Sequence, residues 1–189
     1  MKKYLLILAA VALLPVAVFA QTTWKSDPAH SRLGFMITHL GISEISGAFG
    51  KFEVTITSAK ADFSDAVFQL TTDVASINTG VEMRDNHLRS PDFFDAASHA
   101  GMTFTSKSIT AAGKDRYKLA GDLTIHGVTK PVAAELWYRG TTTNQGKVTA
   151  GFQLTATLKR SDFGVGPKFP PPMIADEFTV KADGEFIRQ

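Results

Sequence analysis

After about residue 20, apolar and polar residues alternate with a period close to two, the pattern of strands that bury one face and wet the other. In 51–57, Phe52, Val54 and Ile56 alternate with Glu53, Thr55 and Thr57; in 66–74, Phe68, Leu70, Thr72 and Val74 alternate with Val67, Gln69, Thr71 and Asp73. Phe104 sits in a similar run over 102–106. Tyr117, Leu119, Gly121 and Leu123 mark another, Phe152, Leu154, Ala156 and Leu158 a further one, and Phe178, Val180 and Ala182 close the series. Gly, Pro, Asn and Asp punctuate these runs at 26–28, 112–115, 125–127, 143–146 and 164–172, where the chain must reverse.

The count is about eight strands with mostly short connections, which argues for up-and-down antiparallel pairing because parallel strands need crossover helices. About eight strands is also the size at which a closed barrel either fills itself or holds one small ligand. A two-sheet sandwich is the competing all-β arrangement. One stretch breaks the period. Thr79-Gly80-Val81-Glu82 has the form of a capping box, predicting a helix to about Arg89 with Asp85 and Arg89 paired at i,i+4. Ser90-Pro91 then starts a short turn through Asp92, Phe93 and Phe94. The insertion over 79–95 reads as a lid on one barrel end, its Phe residues pointing down and its Arg and Asp residues outward.

The N-terminus is of another kind. Lys2 and Lys3 precede an uncharged apolar run over 5–19, and Val18 and Ala20 are small residues placed for cleavage. This predicts an export signal over 1–20, cut near Ala20, and a single exported domain over 21–189. The run is too short to read as a bilayer span of about 30 Å, so stable membrane insertion is not expected after cleavage. With no cysteine, neither a disulfide framework, thiolate chemistry nor a lipoprotein anchor is available. Without Lys2 and Lys3, 18 basic residues face 18 acidic ones, and no basic cluster suits nucleic acid. Phe is the compositional oddity, 14 residues against 5 Tyr and Trp together, which brings apolar area without a polar handle and fits a dense core or a greasy cavity wall.

Candidate chemistry is sparse. Asp27, His30 and Ser31 resemble a triad on paper, but a Ser adjacent to its His in an extended or turn segment points away from the imidazole. No nucleophile elbow is present. The five histidines, His30, His39, His87, His99 and His126, are not paired at ligand spacing, so no metal site and no cofactor are expected. Gly164-Val165-Gly166 runs into Pro167 and lacks the setting of a phosphate cradle. Arg84, Asp85, His87, Arg89 and Asp92 form the densest polar cluster, readable either as a gate that meets a ligand headgroup or as a solvated helix face.

Several motifs in order resemble the YceI-like family of periplasmic proteins: Asp27-Pro28-Ala29-His30-Ser31, Thr38-His39, Gly47-Ala48-Phe49, the run 76–80, Arg84-Asp85-Asn86-His87-Leu88-Arg89-Ser90, Asp92-Phe93-Phe94-Asp95, Thr103-Phe104-Thr105-Ser106, the run 121–131, and Arg160-Ser161-Asp162-Phe163-Gly164. The resemblance spans essentially the whole chain after the signal. It implies a lipocalin-like, eight-stranded antiparallel barrel whose long tunnel holds a polyisoprenoid chain, a quinone tail or a related amphiphile, with no catalytic residues. Family members often carry Tyr-Pro before the Thr-Phe strand, where Ala100-Gly101-Met102 stand here.

Inward positions of the proposed strands give the expected tunnel wall: Phe35, Ile37, Phe52, Val54, Phe68, Leu70, Phe104, Leu123, Phe152, Leu154 and Phe178. His39, Asn78, Arg84 and His87 are the expected polar mouth. The expected function is a carrier of a long-chain isoprenoid lipid, and the sequence leaves a homodimer open. Two alternatives stand beside it: an enzyme acting on such a lipid or quinone with His87 or Arg84 near the reactive end, and a stress-related secreted protein with a filled barrel.

Overall fold

The computed structural model describes residues 20–189. The expected export signal, up to Phe19, lies outside the described residues. Strands and one helix follow in the order β1 (Thr22–His39), β2 (Ser43–Phe49), β3 (Phe52–Ser58), β4 (Val67–Asp73), β5 (Ile77–Asn78), α1 (Glu82–Arg89), β6 (Gly101–Ala111), β7 (Arg116–Ile125), β8 (Val128–Asn144), β9 (Lys147–Lys159) and β10 (Ile174–Arg188). None of the described helices is long and apolar enough to cross a membrane.

All the ladders are antiparallel, in the order β10-β9-β8-β7-β6-β4-β3-β1, and β1 pairs back onto β10 to close an eight-stranded barrel. Strand β2 does not add a ninth stave. Leu33 to His39 of β1 pair with Phe49 to Ser43, whereas Thr22 to Lys25 pair with Ser58 to Thr55, so β2 and β3 are two halves of one partner strand broken at Gly50-Lys51. The short β5 pairs with the end of β2 and leads into the lid. Closure removes the exposed edges that an open sheet would present.

The turns follow local chemistry. His126 and Gly127 (φ 51° and 74°) join β7 to β8, and Gln145 and Gly146 (φ 49° and 78°) join β8 to β9. Two successive left-handed residues match the right-handed twist of the flanking strands, and glycine adopts that conformation without strain. At 26–28 the expected turn is absent. The chain stays in β1, and the register against β10 slips between Ser26 and Ser31, so Asp27-Pro28-Ala29-His30 form a bulge. Proline lacks the N–H that a regular ladder needs, and the Asp27 carboxylate accepts from the Ala29 N–H at 2.9 Å, which holds the bulge instead.

The interior divides into two clusters that explain where a hollow can exist. At the end formed by the start of β1 and the β3–β4 connection, Trp24, Ile56, Phe63, Phe68, Leu119, Leu136, Phe152 and Phe186 pack together. Phe63 is 2% exposed and lies edge-on to Phe152 with centroids 5.0 Å apart. The Tyr117 hydroxyl donates to the Asp62 carbonyl and ties that connection to the barrel. At the opposite end, Leu33, Phe49, Val74, Ile77, Phe93, Ile125, Phe163 and Val165 form a second cluster under the lid, with many partly buried apolar neighbours.

Candidate functional site

A cavity of about 480 Å³ lies inside the barrel between these two clusters. The size falls within the roughly 300–1,000 Å³ range of small-molecule sites. Its walls are the inward residues of the alternating strands. Phe35 and Ile37 face it from β1, Phe52 and Val54 from β3, and Phe68 and Leu70 from β4. Phe104 of β6, Leu123 of β7, Phe152 and Leu154 of β9, and Phe178 of β10 complete the circuit. Cross-strand register puts several of these side by side: Val54 opposite Leu70, Leu70 opposite Phe104, Phe104 opposite Leu123. Gly47 lies opposite Phe35, and a Cβ there would stand 2.3 Å from the Phe35 ring, so glycine makes room for that ring over the strand.

The bore is blind, ending on packed side chains short of the far end of the barrel. Leu119, Leu136, Phe152 and Phe186 form its floor, above the packed Phe63. These floor residues sit in the same alternation as the wall, and nothing in a one-dimensional period says at which level a barrel fills.

Polar groups gather at the lid end. His39, Arg84 and His87 border the cavity, as do Thr79 and Arg160. Asn78 does not: its Oδ1 accepts from the Gly80 N–H at 2.8 Å and shapes the approach to α1. The expected capping box is replaced by a different arrangement. Val81 occupies the N-cap and makes no side-chain bond, while the Thr79 hydroxyl donates to Asp85 Oδ1 (2.5 Å) and accepts from Arg84 Nε (2.7 Å). Asp85 also takes the Thr79 N–H at 2.8 Å and is buried, so it faces inward, opposite to the expected outward placement. Nor does Arg89 pair with Asp85. Its guanidinium instead donates to Asn86 Oδ1 and to the carbonyls of Ala75 and Ile77, pinning α1 to the strand before it.

Two devices order the mouth of the cavity. His87 Nε2 lies 3.2 Å from Asp92 Oδ2, and Lys168 Nζ donates to Asp92 Oδ1 at 2.6 Å. The Lys168 hydrogen bond, then that of His87, holds the Asp92 carboxyl below its usual range. Phe93 and Phe169 stack beside this pair, and the His87 ring meets both edge-on. The second device is Arg160, 7% exposed. It donates to the carbonyls of Ala175, Val165, Gly166, Phe169 and Ile174, so a single buried guanidinium organises the whole loop from 164 to 174. Neighbouring Ser161 donates through its N–H and hydroxyl to Asp176; burial works to raise that carboxyl, but these bonds outweigh it and leave it below the ordinary value.

The resemblance to a catalytic triad dissolves in three dimensions. His30 Nδ1 is 2.9 Å from Asp27 Oδ2, while Ser31, one residue on and therefore on the other face, borders the cavity and donates to the Glu185 carbonyl.

Comparisons with known proteins agree with this architecture. The family profile described as the YceI-like domain matches residues 24–186. A UPF0312 protein of Pectobacterium carotovorum is 33% identical over 193 residues, covering 100% of this chain and 99% of its own, and a UPF0312 protein of Staphylococcus aureus is 37% identical over 146 residues, covering 76% and 82%. Among solved structures, Burkholderia cenocepacia BcnA superposes with a TM-score of 0.76 at 29% identity, covering 85% of this chain and 98% of its own. A polyisoprenoid binding domain from Saccharophagus degradans shares the fold at a TM-score of 0.67 and 18% identity, covering 88% and 98%.

Proposed function

The chain belongs to the YceI-like family, and on that premise we propose that it is a binding protein for a long-chain isoprenoid lipid, carried in the periplasm with its tail in the barrel and its headgroup at the lid. The observation that carries this reading is the blind apolar cavity whose polar groups are concentrated at the lid, with Ser31 and Asp183 bordering it from β1 and β10. Burying a CH₂ is worth about 0.8 kcal/mol, so an oily chain needs few directed contacts to be retained, and the aromatic floor sets how much of it fits. The polyisoprenoid binding domain from Saccharophagus degradans, which has the same fold, supports this choice of ligand class.

A hollow barrel favours a carrier over a filled structural protein. The polar side chains at the rim are engaged with one another, Arg84 with Thr79, Thr79 with Asp85 and His87 with Asp92, an arrangement that suits holding the lid in place. Delipidated protein incubated with vesicles that contain a radiolabelled polyprenol tests the proposal. Recovery of label with the soluble protein, one molecule per chain, is expected. Label that stays wholly with the vesicles overturns the carrier reading. Replacing Phe152 with Asp should abolish uptake while far-UV circular dichroism stays that of a β-barrel, and label that appears chemically altered would point to turnover instead.

A further inference from the structure

The histidines that look isolated in the sequence are not all isolated in space. The rings of His99 and His126 meet edge to face with centroids 4.6 Å apart. Asp95 lies beside them, and one ligand-capable atom from each of the three falls within 4.8 Å of the others. All three are partly buried, and none borders the lipid cavity, so the cluster is separate from the proposed binding site.

We propose that Asp95, His99 and His126 form a site for a divalent late transition metal, with Zn²⁺ as its natural probe, that fastens the lid to the β7–β8 turn. The donor set is two imidazole nitrogens and one carboxylate oxygen, the mixture that suits zinc and its neighbours and not the oxygen-seeking Ca²⁺ or Mg²⁺. Tetrahedral ligands at about 2.0–2.1 Å from zinc stand roughly 3.3 Å apart, so the three side chains need only small rotamer changes to close on an ion. Water fills the remaining position.

The local backbone is arranged around these groups. His99 N–H donates to the Asp95 carbonyl at 2.8 Å, forming one helical turn that sets Asp95 and His99 four residues apart on one side. Asp95 and His126 both hold left-handed backbone conformations (φ 43° and 51°), which few residues other than glycine adopt. His99 packs on Gly127, where a Cβ would come within 2.9 Å of its ring, so any larger residue at the turn would push that ligand away. His126 Nδ1 lies 3.3 Å from the Phe163 carbonyl. With Nδ1 donating there, Nε2 keeps its lone pair, the outer-shell arrangement that orients metal-bound histidines.

Untagged protein, chelator-treated and dialysed, is titrated with ZnCl₂ by isothermal calorimetry, alone and as the His99→Gln, His126→Asn and Asp95→Asn variants. Asparagine tolerates the left-handed conformations at 95 and 126. We expect one equivalent bound by the parent, affinity at least 10-fold weaker in each variant, and slower amide exchange at 95–99 on adding Zn²⁺ to the parent only. A His30→Asn control, which alters the Asp27, His30 and Glu185 group on the barrel's outer face, should bind as the parent does. Absence of stoichiometric binding by the parent, unchanged affinity in both the His99 and His126 variants, or loss only in the His30 variant each overturns the proposal. Urea midpoints measured without zinc identify any variant whose fold is damaged, and the remaining two then decide.

Discussion

The rings of Phe93 and Phe169 lie face to face, centroids 4.8 Å apart and planes 9° from parallel, so the lid rests on the loop that follows β9 through one aromatic stack. Each ring also borders the cavity. The contact that joins lid and loop is therefore part of the wall that a ligand would touch.

Weakening that stack should speed exchange of the ligand. An aromatic pair contributes about 0.5–1.5 kcal/mol beyond area burial, which corresponds to a release rate raised by about 2- to 10-fold for Phe169→Ala. Stopped-flow transfer of a fluorescent polyprenyl probe to acceptor vesicles measures it. A rate unchanged from the parent would show that the mouth opens elsewhere.

The ion pair beside the stack sets a pH window. Lys168 and His87 depress the Asp92 carboxyl, and a group with a lowered folded pKa contributes stability that is present above its unfolded value and lost as pH falls through the folded one. Asp92 should therefore stay ionised from neutral pH down past the ordinary carboxylate range near 3.9, and the latch should loosen only in stronger acid. Carboxyl-carbon NMR titration follows the group directly. A midpoint above that range would mean that Lys168 does not reach Asp92 in solution.

Arg160 should matter most for stability near the mouth. Its removal leaves carbonyls of Val165, Gly166, Phe169, Ile174 and Ala175 without their donor. Losing a buried charged donor from such a set costs about 3 kcal/mol or more, so Arg160→Met should lower the urea midpoint clearly. Arg160→Lys should recover little of it, because one ammonium cannot reproduce the fork. A midpoint within error of the parent for Arg160→Met would refute this role.

Much of the barrel was legible because one variable, the period of two, determines both strand and facing. The residues from Phe35 to Phe178 were expected at inward strand positions, and all eleven of them border the cavity. What escaped depends on contacts between distant segments. Asp27-Pro28 carries a turn signature, yet the partner β10 keeps it within a strand as a bulge. Thr79 and Glu82 have capping-box spacing, but Asp85 offers the Thr79 hydroxyl a buried carboxylate instead. Arg160 stands out only once its five carbonyl partners are assembled, and His99 meets His126 from 27 positions away in the chain.

Phe63 tests the idea that the floor sets ligand length. Truncation to Ala at a site only 2% exposed should cost about 3–5 kcal/mol by urea unfolding. If the folded variant persists, it should shift preference toward longer polyprenyl chains in competition binding. An unaltered chain-length preference would mean that the ligand never reaches that depth.

The most direct test of an occupied cavity is native mass spectrometry of the protein purified from its source cells without detergent. The account predicts one species heavier than the bare chain by a single lipid, whose organic extract contains a polyprenyl chain. A spectrum of the bare chain alone, with no lipid in the extract, would contradict it.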